Sequence, residues 1–111
     1  MKPTNLLTML SLSVALSGCA SYQAGGYVQS GVQALLAGNN QTALSYLQAA
    51  AQQDPNYIYD TQLNMGVLSY LGRAQYLTGN YTQARQTLEK ARAQNTSDNL
   101  AQLYLGLTQA R

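Results

Sequence analysis

The sequence predicts an all-α fold built from about two and a half stacked helix–turn–helix units, on three observations. First, Leu35–Ala50 (LLAGNNQTALSYLQAA) overlays Tyr76–Ala91 (YLTGNYTQARQTLEKA) at an offset of 41. Identities fall at Leu36/Leu77, Gly38/Gly79, Asn39/Asn80, Ala43/Ala84, Leu47/Leu88 and Ala50/Ala91. Second, Tyr70–Gln75 (YLGRAQ) recurs as Tyr104–Gln109 (YLGLTQ) at an offset of 34. Third, Ala43, Leu44, Leu47, Ala50 and Ala51 fall at i, i+1, i+4, i+7 and i+8, one apolar stripe of a helix, and Ala84, Leu88 and Ala91 repeat it. Such a recurrence marks an array in which each unit buries its apolar face on the next. An unrelated antiparallel bundle of five helices shares the periodicity but not the tandem spacing.

Composition sets the limits. The 111 residues allow one small domain, and 46% of them are apolar against 9% charged. The net charge of +2 is small, and Arg73, Arg85, Lys90, Arg92 and Arg111 form no run. That argues against nucleic acid as a partner. There is no histidine, and the single cysteine permits neither an internal disulfide nor a zinc set.

The chain opens with Lys2 and an apolar run of eleven residues, Leu6–Leu16 (LLTMLSLSVAL). A bilayer-spanning helix needs about 20 residues, whereas the core of a secretory signal needs only a run of this length. Leu16-Ser17-Gly18-Cys19 then resembles the lipobox of bacterial lipoproteins. The resemblance implies that residues 1–18 are a signal peptide, that diacylglycerol is transferred to the Cys19 sulfur, and that the chain is cut before Cys19 and acylated at the new amino terminus. The thiol would thereby become a membrane anchor rather than a nucleophile. Two or more acyl chains hold a protein stably. Ala20, where an Asp would imply retention at the inner membrane, implies the outer membrane. Residues 19–26, with Gly25-Gly26, read as a lipidated flexible tether reaching roughly 25 Å.

Each unit that follows has its own turn signals. Gly38-Asn39 and Gly79-Asn80 supply a left-handed residue that ends one helix and an N-cap for the next. Asp54-Pro55 closes the first unit. Gly31, Gly72 and Gly106 lie inside helical patterns, where glycine costs about 1 kcal/mol against alanine. A close neighbouring helix would justify them. Leu100, Leu103, Tyr104 and Leu107 form a last apolar stripe.

This pattern resembles the tetratricopeptide repeat, a 34-residue helix–turn–helix with small residues where the two helices cross. The residues that carry it are Gly31, Gly38, Ala43, Ala50 and Pro55 in one unit, and Gly72, Gly79, Tyr81, Ala84 and Ala91 in the next. Leu105 and Gly106 open a third. The resemblance covers residues 27–111 and implies a short right-handed solenoid. Tyr27 and Leu68 stand where the family often has Trp, Asn40 replaces an aromatic, and Thr96 replaces the closing proline. The offset of 41 exceeds the family's 34 by seven, about two helical turns. Tyr57–Leu63 (YIYDTQL) is the expected extra piece. It would lengthen the first helix of unit two by about 10 Å, giving one helix from Asp60 to Leu77.

No catalytic set is legible. Asp54, Asp60, Glu89 and Asp98 are the only carboxylates, with no close pair among them. Asp54 reads as a helix-end residue, Asp98 as a cap or first-turn residue, and Glu89 as part of a solvated face. No phosphate loop, metal spacing or dinucleotide motif occurs, so no cofactor is expected.

The family resemblance implies a concave binding surface lined by the first helix of each unit. Val28, Gln29, Val32, Leu35 and Leu36 would come from unit one, Ser69, Tyr70, Arg73, Tyr76 and Leu77 from unit two, and Tyr104 and Leu107 from the third. Tyr and Arg are enriched at interface hot spots, so Tyr70, Arg73, Tyr76 and Tyr104 are the candidate partner-binding residues. The alternative for each tyrosine is packing against neighbouring helices. The expected function is a non-catalytic scaffold or adaptor for envelope proteins, anchored to the outer membrane through Cys19 and facing the periplasm. Lipoproteins of this build resemble accessory factors of pilus or secretion assembly and adaptors of cell-wall enzymes. A self-associating structural lipoprotein is the alternative.

Overall fold

The computed structural model describes residues 22–111. The signal-peptide, lipobox and Cys19 readings lie outside the described residues. Five helices follow one another: α1 (22–36), α2 (Asn40–Gln53), α3 (Val67–Leu77), α4 (Tyr81–Gln94) and α5 (Asn99–Gln109). A two-stranded antiparallel sheet, β1 (Ile58–Asp60) and β2 (Met65–Gly66), separates α2 from α3. The helices pack as the repeat requires. α3 contacts α2, α4 and α5, and α4 contacts α5.

The turns inside the two units match bond for bond. Gly38 and Gly79 take φ of +80° and +83°, the left-handed region where a Cβ is penalised. The Asn39 N–H donates to the Ala34 carbonyl and the Asn80 N–H to the Gln75 carbonyl, both at 2.8 Å. Gly38 N–H reaches Leu35 and Gly79 N–H reaches Tyr76 in the same way. These are the two bonds of a Schellman motif. Each asparagine thus ends one helix and starts the next. Their side chains do not cap: neither makes a cap hydrogen bond, and the Asn80 Nδ2 donates to the Thr78 Oγ1 at 2.8 Å.

The unit ends match too. Asp54 Oδ1 accepts from the Asn56 N–H at 3.0 Å, and Asn95 Oδ1 accepts from the Ser97 N–H at 3.0 Å. The same side-chain turn therefore closes both units, with Pro55 following it in one and Thr96 in the other.

The interior glycines sit under leucines. A Cβ on Gly31 would lie 2.6 Å from the Leu47 Cγ, and one on Gly72 would lie 2.4 Å from the Leu88 Cδ2. Both leucines are fully buried, which contributes about 1.5–3 kcal/mol each. The glycine sixteen residues before each leucine lets the two helices of a unit close on it.

Two expectations are corrected. Asp60–Leu77 is not one helix. The seven extra residues make the hairpin instead, and α3 starts only at Val67. Local chemistry accounts for this. Tyr57, Ile58 and Tyr59 are strand formers. The Asp60 carboxylate accepts from the Gln62 and Leu63 N–H groups at 3.0 and 2.9 Å, building a turn. Asn64 is left-handed, with φ of 56°. Gly66 then brings the backbones together, since a Cβ there would meet the Tyr57 carbonyl oxygen at 2.9 Å. The second correction is at the tether: residues 22–26 belong to α1. Ala24 and Val28, one turn apart, are both fully buried, and Gly25 lies against the Tyr57 ring. Tertiary packing overrides the low helix propensity of Gly25-Gly26. Among the described residues no helix is long and apolar enough to cross a membrane.

Candidate partner-binding surface

α3 is the most enclosed helix, and its polar residues decide which of its faces can meet a partner. Tyr70 is only 7% exposed and joins the core. Its ring meets Tyr59 of β1 edge-on, with centroids 5.6 Å apart. Burial first, then the charge of Asp60, pushes its phenol above the ordinary value; Arg73 works against that. Tyr70 is therefore a packing residue and not a groove residue, because the insertion folds back over it as a hairpin. Ser69 is also buried. Its hydroxyl donates to the Asp98 Oδ2, while Asp98 Oδ1 accepts from the Ala101 N–H at 2.9 Å. Asp98, 1% exposed, thus caps α5 and ties it to α3. Ser69, expected on the binding face, is instead the buried partner of Asp98. A hydroxyl within the otherwise apolar run VLSYLG was its only signal.

Of the other residues expected on the binding face, Val28 and Leu35 are core. Gln29, Leu36, Leu77 and Leu107 are exposed, and Val32, Arg73, Tyr76 and Tyr104 are half-buried.

Three of the four candidates do come together. The Tyr76 and Tyr104 rings meet edge-on at 5.5 Å, and the Arg73 guanidinium lies 5.7 Å from the Tyr104 centroid. Two further residues complete the cluster. Tyr81, the first residue of α4, meets Tyr76 at 5.5 Å because the Gly79 turn folds it back. Arg111 covers Tyr76 and Tyr81 at 5.5 and 5.4 Å and donates through Nε and Nη2 to the Tyr76 hydroxyl at 3.2 Å. That hydrogen bond raises the Arg111 pKa further. Arg73 Nε is buried without a partner.

This side of α3, α4 and α5 therefore carries two guanidinium groups held against tyrosine rings, whose negative faces attract a cation. Beside them a cleft of about 250 Å³ is lined by Tyr81, Thr82, Arg85, Thr108 and Arg111. The carboxylates are elsewhere: Asp54 and Asp60 flank the hairpin, Glu89 is exposed on α4, and Asp98 is engaged by Ser69. Stacked arginines suit a carboxylate, which they take bidentately. Next to this patch, α5 exposes Leu103 (57%) and Leu107 (39%). Gly106, the counterpart of Gly31 and Gly72, has nothing within 4 Å of its Cβ position.

Among the described residues no group of three His, Cys, Asp or Glu side chains is placed to hold a metal ion. Comparison with known proteins gives one finding: the family model for the tetratricopeptide repeat matches residues 34–107. No curated protein and no solved structure matches the chain. The match spans well over half of the chain and takes in both left-handed turns, Gly72 and the buried Leu47 and Leu88. The chain belongs to the tetratricopeptide-repeat family, whose stacked helices are typically non-catalytic scaffolds for protein–protein interaction.

Proposed function

We propose that the chain is a bacterial envelope lipoprotein, anchored in the outer membrane through Cys19 and facing the periplasm. Its repeat array acts as a non-catalytic adaptor for another envelope protein. The partner surface is the Arg73, Tyr76, Tyr81, Tyr104 and Arg111 face of α3–α5, and its ligand is a segment that offers a carboxylate. The observation that carries this reading is the pair of arginines stacked on tyrosines with no carboxylate engaged. The lipobox of Leu16–Cys19 supports the anchor. Assembly factors of pili or secretion and adaptors of cell-wall enzymes are the machines such a protein would serve.

Two measurements test the reading. Radiolabelled palmitate should mark the wild type and not Cys19→Ser; equal label on both would end the anchor. Arg73→Ala should weaken partner binding by at least about 2 kcal/mol, roughly thirtyfold, with thermal stability retained. Unchanged affinity would remove the face. A second reading, self-association, is favoured by the open Gly106 position between Leu103 and Leu107 on α5. A concentration-dependent homo-oligomer in the absence of any partner would select it.

A further inference from the structure

The hairpin and the start of α1 enclose a second cleft, on elements that the partner face does not use. Its volume of about 380 Å³ falls within the range of small-ligand pockets, roughly 300–1,000 Å³. It is lined by Tyr22, Gly25, Gly26, Gln29, Tyr57 and Tyr59. We propose that this cleft is a binding site for a neutral oligosaccharide.

The lining chemistry selects that class. Three tyrosines offer ring faces with hydroxyl tips, Gln29 offers an amide that both donates and accepts, and no charged side chain takes part. A pyranose has the complementary surface, an apolar C–H face rimmed by hydroxyls. Gly26 has nothing within 4 Å of its Cβ position, so a flat ring can approach the helix backbone there, beside the Tyr57 ring that covers Gly25.

Two of the three rings are also held in place. The Tyr57 ring rests on Gly25, where a Cβ would come within 2.7 Å of its hydroxyl. Its backbone is fixed by bonds to Asp54 and Val67. Tyr59 is pinned edge-on against buried Tyr70. The hairpin itself is tied to α4 and its end, where Gln94 Nε2 donates to the Asn56 Oδ1 and Asn95 Nδ2 to the Asn64 carbonyl, both at 2.9 Å. A peptide ligand fits less well. Residues 57 and 59, two apart, meet the cleft with their side chains, whereas an added strand would need a free backbone edge.

The test is a calorimetric titration of the purified full chain, in a detergent without a sugar headgroup, with cellotetraose, maltotetraose and chitotetraose. At least one should bind saturably. Tyr22 is 86% exposed, so Tyr22→Ala should leave the fold intact and weaken binding by about tenfold. Gly26→Leu projects into space where nothing lies within 4 Å. It should therefore block the cleft and abolish binding without lowering the melting temperature. Three results would each overturn the proposal: no saturable binding of any of the three sugars up to millimolar concentration, undiminished binding by Gly26→Leu, or binding of choline or a tyrosine-rich peptide in place of the sugars. Partner affinity should be the same in Gly26→Leu and wild type, which separates this site from the α3–α5 face.

Discussion

One substitution, glycine to alanine, should have opposite signs at equivalent positions of the repeat. At Gly72 the added methyl would fall 2.4 Å from the Leu88 Cδ2 and 2.5 Å from its Cγ. Carbon pairs rest at about 3.5–4.0 Å, so Leu88 must retreat by about 1 Å. It is fully buried, and a close-packed interior resists such a shift. Overpacking of this kind costs about 1–3 kcal/mol, offset by about 1 kcal/mol of helix propensity. With two Leu88 carbons at 2.4 and 2.5 Å the cost falls in the upper half of that range, so the net loss for Gly72→Ala is about 1–2 kcal/mol. Gly31→Ala, at 2.6 Å from the Leu47 Cγ, should behave alike. Gly106→Ala meets nothing and keeps only the propensity gain of about 1 kcal/mol. In a domain of this size each kcal/mol moves the melting temperature by about 4–8 °C. Far-UV circular dichroism melts should therefore place Gly72→Ala below the wild type and Gly106→Ala above it. Leu88→Ala should remove most of the penalty of Gly72→Ala, giving a coupling of about 1–2 kcal/mol in a double-mutant cycle. A Gly72→Ala melting temperature at or above the wild type would refute the packing argument. A Gly106→Ala loss that grows with protein concentration would place a second copy on α5.

Two further outcomes follow from the buried polar groups. Asp98→Ala removes an N-cap, worth about 1 kcal/mol, and leaves the buried Ser69 hydroxyl without its acceptor, at about 1–3 kcal/mol. Urea unfolding should show a total loss of about 3 kcal/mol, while Asp98→Asn, which keeps an acceptor for the Ala101 N–H, should lose less than half of that. Tyr70 has a folded pKa raised above its ordinary 10.0 by burial and Asp60. Its contribution is whole below that value and is lost as pH rises through the raised one, because the unfolded chain gives up the proton first. Melting temperatures measured across about pH 9–11 should fall less steeply in Tyr70→Phe than in the wild type.

The repeat itself was legible because its signals are local and duplicated. Glycine at a left-handed turn, small residues at a helix crossing and a leucine sixteen residues after a glycine each have one physical use, and each occurs twice at one offset. The insertion departs from the expected helix although its length equals about two helical turns. The chemistry that decided otherwise was short-range: strand formers at 57–59, an acceptor at Asp60 and a left-handed Asn64. The glycine pair at 25–26 looked like a tether because the Tyr57 ring that packs on it lies thirty-two residues away, in that same insertion. Tyr70 shows the same dependence. Its helical position equals that of Tyr104, yet the hairpin covers one and leaves the other half open. Arg111 and Tyr81 are not legible as site residues from the periodicity of any single helix, because the cluster forms between the ends of α3, α4 and α5.

The partner face is tested most directly by site-specific photocrosslinking in living cells. A benzophenone side chain placed at Tyr104 sits in the Tyr–Arg cluster, and one at Glu89 sits on the exposed face of α4. The expected result is a discrete adduct of higher mass at Tyr104 and none at Glu89, with the Tyr104 adduct lost when Arg73→Ala and Arg111→Ala are combined. An adduct of equal strength at Glu89, or one at Tyr104 that survives the loss of both arginines, would contradict the assignment of this face as the partner surface.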